Sequence, residues 1–359
     1  AHHLNTVGDY LEFRYSASVR GIVAVLLWIG SMFILAGQLV AMGAILESVA
    51  GIPATVGCLI GGVVITVYFA AGGLATAARV NVLQLAVKGA GFALALPLAL
   101  GAAGGWSAVA TTRAADPAYW SFWQPGPPGL LYLALLTPSF VISPGLLQKV
   151  FGAQDDRTVR IGVGLNALGL FAFAAVPAFL GIIARSQFDG LAPDSVLPTI
   201  LVRLLPPAVG AIGLAAVFSA EISAADAVLF MLTTSLSQDL YRRFLHPQAS
   251  DARILFVARV TTVIAASLGI ALAILLGSVV NALTIFYTLL SVSLFVPILA
   301  GLYLPRASTA AALASIVCGV LTVVAVQFGT TTHLVAGLTP ALAGLLAAGL
   351  SFIVVHVIR

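Results

Sequence analysis

Two acidic side chains, Glu221 and Asp226, interrupt a stretch from Pro207 to Leu236 that is otherwise apolar enough to cross a membrane. An ionised carboxylate at the membrane centre costs about 2.5 to 3.5 kcal/mol on insertion scales, so each acid needs a partner, water or a proton. At 100° per residue, Ser219, Ser223 and Asp226 fall within about 60° of one another, whereas Glu221 lies roughly 160° from Ser223. The two acids therefore do not share a face, and Asp226 joins the two hydroxyls in a polar stripe.

Each acid leaves two interpretations open. Asp226 either handles an ion or a proton, or it makes a structural hydrogen bond that ties its helix to a neighbour. Glu221 points away from the hydroxyl stripe, so a structural or protonated carboxyl is its leading interpretation. A buried carboxyl without a partner is a candidate proton carrier.

The chain as a whole is too apolar for an ordinary soluble domain. Of its 359 residues, 61% are hydrophobic and 8% are charged, and the mean hydropathy is +1.12. Too little polar surface is left to cover a soluble fold. The sequence predicts one all-α polytopic membrane domain over residues 1–359, with a cytoplasmic loop at 1–17 and ten membrane helices over 19–357. The predicted spans are 19–47, 55–74, 82–102, 129–151, 159–184, 207–238, 253–277, 279–303, 308–328 and 335–357.

The charges between the spans predict the orientation. Ten spans place both ends of the chain on one side of the membrane. Of the 16 Lys and Arg residues, only Arg113, Arg185 and Arg203 lie on the other side. By the positive-inside rule both ends are cytoplasmic, and the loops at 104–128, 185–206 and 329–334 face outward. The net charge of +4 thus reflects the orientation of the chain in the membrane, and it does not imply a nucleic-acid partner.

The span at 129–151 differs from its neighbours because TPSFVISPG (137–145) places two prolines and two serines at its centre. Proline removes a backbone donor and clashes with the preceding turn, so the helix is expected to be kinked or broken at mid-membrane. Such breaks form the substrate and ion sites of secondary transporters. A plain proline kink without a site is the alternative.

Four segments together resemble the sodium:solute symporter family. They are TVGDYLEFRY (6–15), AAGGLATAARVNVLQ (70–84), SPGLLQKVFGAQDDRTVRIG (143–162) and GLAAVFSAEISAADAVLFMLTTSLSQDLY (213–241). The resemblance covers nearly the whole chain in the family's order. It implies the LeuT-type fold of two inverted five-helix repeats, with the ten spans similar to core helices 3 to 10 plus two peripheral helices. Core helices 1 and 2, which carry part of the site in that family, are then expected upstream of Ala1.

The resemblance also assigns an ion site. The family's sodium motif on core helix 8 resembles A-x-x-S-[ST], which maps to the carbonyl of Ala220, the hydroxyl of Ser223 and, where a second hydroxyl is expected, Ala224. Alanine offers no side-chain ligand, and a hard cation prefers several oxygens. Asn81 is a second departure, since the family usually has Asp there. The coupling ion implied is therefore Na⁺, doubtful at this site, or a proton, and no other cofactor is expected.

Lys88 is the remaining basic candidate, seven residues and about 10 Å beyond Asn81 on the next span. By resemblance this span packs beside core helix 8, and in some sodium-independent transporters of the wider fold a basic side chain takes the place of the ion. We therefore expect Lys88 to reach Ser223 and to pair with Asp226 or Glu221. The alternative is that Lys88 extends toward the cytoplasm.

The solute site is placed by resemblance. Ser139, Phe140 and Ser143 at the predicted helix break are expected to border the central cavity, with Thr284 and Tyr287 as gates. No motif in the sequence identifies the solute.

Two functions from different classes fit the sequence. The first is a secondary active symporter for a small polar solute in the plasma membrane, with the lipid bilayer as its surroundings and an oligomeric state that the sequence does not determine. The second is a transporter-like sensor or regulatory module without net transport. An enzyme is not expected, since there is no HExxH motif and the two acids lack a recognisable catalytic spacing.

Overall fold

The computed structural model describes residues 6–112, 133, 136–143, 146–147, 150, 153–328 and 339–358, and for 70–79 it describes the backbone alone. Within these ranges every regular element is helical. The α-helices are α1 (Val7–Arg14), α2 (Ala17–Ala50), α3 (Ala54–Ala102), α4 (Gly105–Thr112), α5 (Asp156–Gln187), α6 (Val196–Thr199), α7 (Pro207–Thr234), α8 (Asp251–Leu276), α9 (Val279–Leu290), α10 (Val296–Tyr303), α11 (Thr309–Phe328) and α12 (Pro340–Ile358).

Three π-helical segments extend this set in the described ranges. Ile200–Leu204 follows α6, Ser235–Leu245 continues α7, and Ser291–Phe295 joins α9 to α10. π-Helical turns are rare and frequently mark functional sites. With them included, eight helices in the described ranges are long and apolar enough to cross a membrane, and Ala54–Phe69 is a shorter apolar helix. A multi-pass membrane fold is thus confirmed.

The backbone stays helical between the predicted spans 55–74 and 82–102. Both lie in the single helix α3, so the expectation of two separate helices here was wrong. The joining residues AAGGLATAAR contain no proline, and their alanines, the strongest helix formers, offset the helix-weakening pair Gly72 and Gly73. About half of the predicted span 129–151 lies outside the described residues.

The predicted break in that span is nevertheless visible. The helical segment 136–141 ends before Ser143, which has no helical assignment. The backbone N–H groups of Leu146 and Leu147 then donate to the Ser143 carbonyl, which starts a new turn. The interruption predicted from TPSFVISPG is therefore confirmed.

The central helix is α2, which contacts α3, α7, α8 and α9. Small residues let α2 and α3 approach closely. A Cβ on Gly57 would lie 2.9 Å from the Cα of Gly43, and one on Gly61 would lie 2.9 Å from the Met42 sulfur. The GxxxG pair formed by Gly57 and Gly61 thus serves helix packing.

The predicted N-terminal loop contains the helix α1. Thr6 begins it with a capping box, in which its hydroxyl accepts from the Asp9 N–H while the Asp9 carboxylate accepts from the Thr6 N–H. This reciprocal pairing satisfies N–H groups that a helix start otherwise leaves free. The segment predicted as a cytoplasmic loop at 1–17 therefore contains a short capped helix.

Candidate ion and solute sites

The first candidate site lies where α3 crosses α7. Gly91 permits the contact, since a Cβ there would overlap the Cβ of Ala216 and lie 3.2 Å from the Ile212 carbonyl oxygen. Further along the same contact, the Ser223 hydroxyl donates to the Asn81 side-chain oxygen at 2.6 Å. Both side chains are half-buried. Two residues singled out from the sequence, 142 positions apart, are thus brought together.

This pair offers oxygen atoms to a hard cation. The Ser223 hydroxyl and the Asn81 carbonyl oxygen are adjacent, and the backbone of Ala220 lies one turn away on α7. Ala224 is half-buried and contributes no side-chain oxygen. An amide oxygen in place of a carboxylate leaves the set without a formal negative charge, which weakens its attraction for a cation.

The expected contact of Lys88 with Ser223 is not formed. Among the described residues, no hydrogen bond or ion pair joins Lys88 to Ser223, Glu221 or Asp226, and the Ser223 hydroxyl is taken by Asn81. The cause is register, because Lys88 lies two turns beyond Asn81 on α3 and so passes α7 at a different level. Lys88 itself is half-buried.

The two intramembrane acids have different surroundings. Asp226 is 3% exposed, whereas Glu221 is half-buried. Neither carboxylate oxygen of Asp226 has a hydrogen-bond partner in the described structure. The prediction that the acids do not share a face agrees with this difference.

The second candidate site joins the broken helix to α9. The Ser139 hydroxyl, which is fully buried, lies 3.0 Å from the Tyr287 carbonyl oxygen and 2.6 Å from the Ser291 hydroxyl. Ser291 is the first residue of the π-segment Ser291–Phe295. Two helices with irregular backbone therefore meet at one buried pair of hydroxyls.

Aromatic rings flank this pair. The Phe140 ring stacks on the Tyr287 ring with centroids 5.4 Å apart, and Phe140 is 53% exposed. The structure therefore brings Ser139, Phe140 and Tyr287 into contact, and their place at a central cavity stays a prediction. Ser143 sits half-buried at the helix break, and the exposed Thr284 hydroxyl donates to the Val280 carbonyl of its own helix.

A third cluster was missed by the sequence analysis. Arg20, at the start of α2, is 8% exposed and forms ion pairs with Asp9 and Glu12 at 2.9 Å and with Asp239 at 2.6 Å. Asp239 is 4% exposed and also accepts from the Thr6 hydroxyl at 2.9 Å. The network ties α1 and α2 to the π-segment that continues α7.

The outer edge of this network is exposed. Arg243 donates from its Nε to Glu12 at 2.9 Å, and the Arg243 side chain is 45% exposed. Hydrogen bonds from Arg243 and then Arg20 hold the pKa of Glu12 below its usual value, so this carboxylate stays charged at neutral pH. Arg14 donates to the Gly301 carbonyl at 2.9 Å, which joins α1 to α10.

Tyr15 adds a buried link on the same side. Its hydroxyl donates to the Pro297 carbonyl at 2.7 Å, and burial raises the pKa of Tyr15 to about 12. The ends of α2, of the α7 π-segment and of α10 therefore meet at one end of the bundle. These are ends that the charge pattern assigns to the cytoplasm.

Comparison with known proteins gives a consistent result. The sequence profile of the sodium:solute symporter family matches residues 2–319. The high-affinity choline transporter 1 of Caenorhabditis elegans is 23% identical over 88% of this chain and 58% of its own length. The sodium/pantothenate symporter of Escherichia coli is 29% identical over 88% of this chain and 67% of its own length. The chain therefore spans well under two thirds of the choline transporter's length.

The fold has a solved counterpart. A solved structure superposes on this chain with a TM-score of 0.73 and 19% sequence identity. It is described as the substrate-bound outward-open state of a Na⁺-coupled sialic acid symporter, and as revealing a novel Na⁺ site. It covers 99% of this chain, and this chain covers 77% of it.

Proposed function

Because this chain belongs to the sodium:solute symporter family, we propose that it forms the solute and ion path of a secondary active transporter. The transporter moves a small polar solute across the plasma membrane by alternating access, with both ends of this chain in the cytoplasm. It acts as a symporter and not as an enzyme. Core helices outside this chain are proposed to complete the site.

The observation that carries this proposal is the contact between two interrupted helices. Ser139, beside the break at Ser143, shares a buried hydroxyl contact with Ser291 in a π-segment. Irregular backbone at membrane depth is tolerated where it is packed in protein or lines a cavity, and in transporters it forms binding sites. We place the solute beside Ser139, Phe140 and Tyr287.

We further propose sodium as the coupling ion, held near Ser223, Asn81 and the Ala220 carbonyl. The names of several relatives include sodium, and the oxygen pair at the α3–α7 crossing suits a hard cation. A proton relay through Lys88 has less support, because among the described residues Lys88 forms no hydrogen bond or ion pair with Ser223, Glu221 or Asp226. We specify the solute only as a small polar molecule, because the relatives are named for different solutes, among them choline, pantothenate, iodide and monocarboxylates.

Uptake into liposomes tests the proposal. Purified protein is reconstituted, and radiolabelled choline, pantothenate and proline are offered under an inward Na⁺ gradient and under a matched K⁺ gradient. We expect at least one solute to accumulate with Na⁺ alone. Uptake that persists without Na⁺, depends on pH and loses that dependence in Lys88→Ala would favour proton coupling instead. Binding without accumulation under any gradient would favour the sensor function.

Ser139→Ala is expected to reduce the initial rate of uptake by about 5- to 100-fold. The change removes a hydroxyl that bonds the Tyr287 carbonyl and leaves the buried Ser291 hydroxyl without one partner, which costs about 1–3 kcal/mol. The matched control is Ser267→Ala, because the exposed Ser267 hydroxyl bonds only its own helix at the Val263 carbonyl. Equal rates in the two variants would contradict the placement of the solute.

Ser223→Ala is expected to raise the Na⁺ concentration for half-maximal uptake by about tenfold, with little change in the maximal rate. Losing one oxygen ligand from a small set costs on the order of 1.4 kcal/mol of binding free energy. The measurement is uptake against Na⁺ concentration at constant ionic strength. An unchanged half-maximal concentration would remove Ser223 from the ion site.

A further inference from the structure

An open apolar groove lies between α10 and α12, outside both candidate sites. It has a volume of about 310 Å³, and its lining is apolar and aromatic, with members that include Phe295, Leu299, Tyr303, Leu304, Phe352 and Ile353. Gly349 on α12 also lines the groove, and a Cβ there would meet nothing within 4 Å. The space beside Gly349 is therefore free for another molecule.

The groove follows two membrane spans to one surface of the membrane. Leu304 directly follows the span Val279–Tyr303, and Phe352 lies in the last two turns of the span Pro340–Ile358. Tyr303 at this end is 77% exposed, and tyrosine is enriched where the hydrocarbon meets the head groups. The groove thus lies at the depth of lipid acyl chains and ends at the level of the head groups. The charge pattern assigns that surface to the cytoplasm.

Two arginines lie at the head-group end of the groove. The Arg14 guanidinium donates from Nε to the Gly301 carbonyl at 2.9 Å and from a terminal nitrogen to the carbonyl of Leu304, a groove residue. The Leu304 carbonyl also accepts from the Ala307 N–H at 3.3 Å, which closes the turn that carries Arg306. Arg306 is exposed. The fold therefore places two fixed positive charges around one turn at the end of an apolar groove.

No described acid neutralises these two charges. The acidic side chains of α1 are taken by Arg20 and Arg243, and among the described residues no ion pair includes Arg14 or Arg306. The two carbonyls use only part of the Arg14 donor set, so its other N–H groups can still donate. Guanidinium groups bind phosphate through paired hydrogen bonds. The surface is thus complementary to a molecule with an apolar chain and an anionic phosphate.

We propose that this surface binds an anionic phospholipid from the adjoining leaflet. One acyl chain lies in the groove over Gly349, and the phosphate accepts hydrogen bonds from Arg14 and Arg306. The bound lipid links α1, α10 and α12 at one end of the bundle. Lipid tails are all similarly apolar, so the preference for an anionic lipid comes from the two arginines. The site requires neither the solute nor the coupling ion of the proposed function.

Lipid retention measured by native mass spectrometry tests the proposal. The purified full chain in detergent is titrated with phosphatidylglycerol and, separately, with phosphatidylcholine of identical acyl chains. We expect one retained phosphatidylglycerol per protein, bound about 5- to 25-fold more tightly than phosphatidylcholine, because each basic residue at the surface contributes about fivefold. Equal affinity for the two lipids would overturn the proposal.

Arg306→Gln tests the head-group contact. It is expected to weaken phosphatidylglycerol binding about fivefold and to leave phosphatidylcholine binding unchanged. Arg306 is the primary variant because Arg14 also joins α1 to α10, so its loss would disturb the fold as well. The matched control is Arg253→Gln, which removes an exposed arginine at the start of α8 and is expected to change neither affinity. Wild-type lipid preference in Arg306→Gln would contradict the proposal.

Gly349→Leu tests the groove. The open space at Gly349 admits leucine without a clash, and the added side chain then occupies the path of the acyl chain. This variant is expected to lose the retained lipid with either head group, while circular dichroism shows an unchanged fold. The control is Gly169→Leu on α5, where glycine is exposed and a Cβ would also meet nothing within 4 Å.

Inorganic phosphate separates a lipid site from a simple anion site. At millimolar concentration it is expected to leave phosphatidylglycerol bound, because it offers no acyl chain to the groove. If inorganic phosphate displaces the lipid and Gly349→Leu still retains it, the arginines bind an anion alone and the lipid site is overturned. None of these measurements requires uptake of a solute, so failure of the lipid site leaves the proposed function intact.

Discussion

Asp239→Asn is expected to lower the free energy of unfolding by about 3 kcal/mol, the lower end of the range for breaking a buried ion pair from one side. Asp239 and Arg20 are both buried, and the 2.6 Å contact between them is the shortest of the Arg20 ion pairs. Asparagine keeps one oxygen for Thr6 and Arg20 but removes the charge. Because Asp9 and Glu12 still face Arg20, the loss does not reach the upper end of the range.

The matched control is Arg243→Ala at the exposed edge of the same network. Its side chain is 45% exposed, and exposed ion pairs contribute about 0–1 kcal/mol because water and salt screen them. Both variants are compared by unfolding in mixed detergent micelles, followed by circular dichroism. Equal effects would show that the network is stabilised by surface attraction rather than by the buried pair. If the Asp239→Asn protein were as stable as wild type, the ion-pair network would not contribute to holding α1 in place.

The sequence predicted well those features that depend on local chemistry. The break near Ser143 follows from two prolines within one span, and no distant residue has to be known for it. The grouping of Ser139 and Phe140 with Tyr287 was reached through a family resemblance, and the structure brings these residues into contact. The membrane spans follow from the length of each apolar stretch, except that the two spans expected at 55–74 and 82–102 lie in the one continuous helix α3.

Contacts between distant segments were predicted poorly. Lys88 was expected at Ser223, but the register of α3 against α7 puts Asn81 there, and a register is fixed by packing at sites such as Gly91. In the sequence analysis Arg20 served only as one of the basic residues that predict the orientation of the chain in the membrane. Arg20 and Asp239 are 219 positions apart, so the residues around either one in the sequence do not predict that the two form a pair. The one available signal was that two charged residues, Arg20 and Asp239, lay within or beside predicted spans.

The tight crossing of α3 and α7 leads to the second large effect, which is expected for Gly91→Leu. A Cβ at Gly91 would overlap the Cβ of Ala216 and lie 3.2 Å from the Ile212 carbonyl oxygen, so the helices must separate to admit a leucine. Overpacking typically costs about 1–3 kcal/mol, and more where backbone has to move. Separation also draws Asn81 away from Ser223, so Na⁺ affinity is expected to fall by at least about tenfold.

Gly89→Leu is the matched control for this effect, two residues earlier on the same helix. Gly89 is exposed, and a Cβ there would meet nothing within 4 Å, so leucine adds apolar surface toward the lipid without touching α7. Leucine is also a better helix former than glycine, so Gly89→Leu is expected to leave stability unchanged or slightly raised. Unfolding in mixed micelles and radioactive Na⁺ binding are measured on both variants. If Gly91→Leu binds Na⁺ as tightly as Gly89→Leu does, the ion site does not depend on the approach of α3 to α7, and the assignment of Asn81 and Ser223 to one site fails.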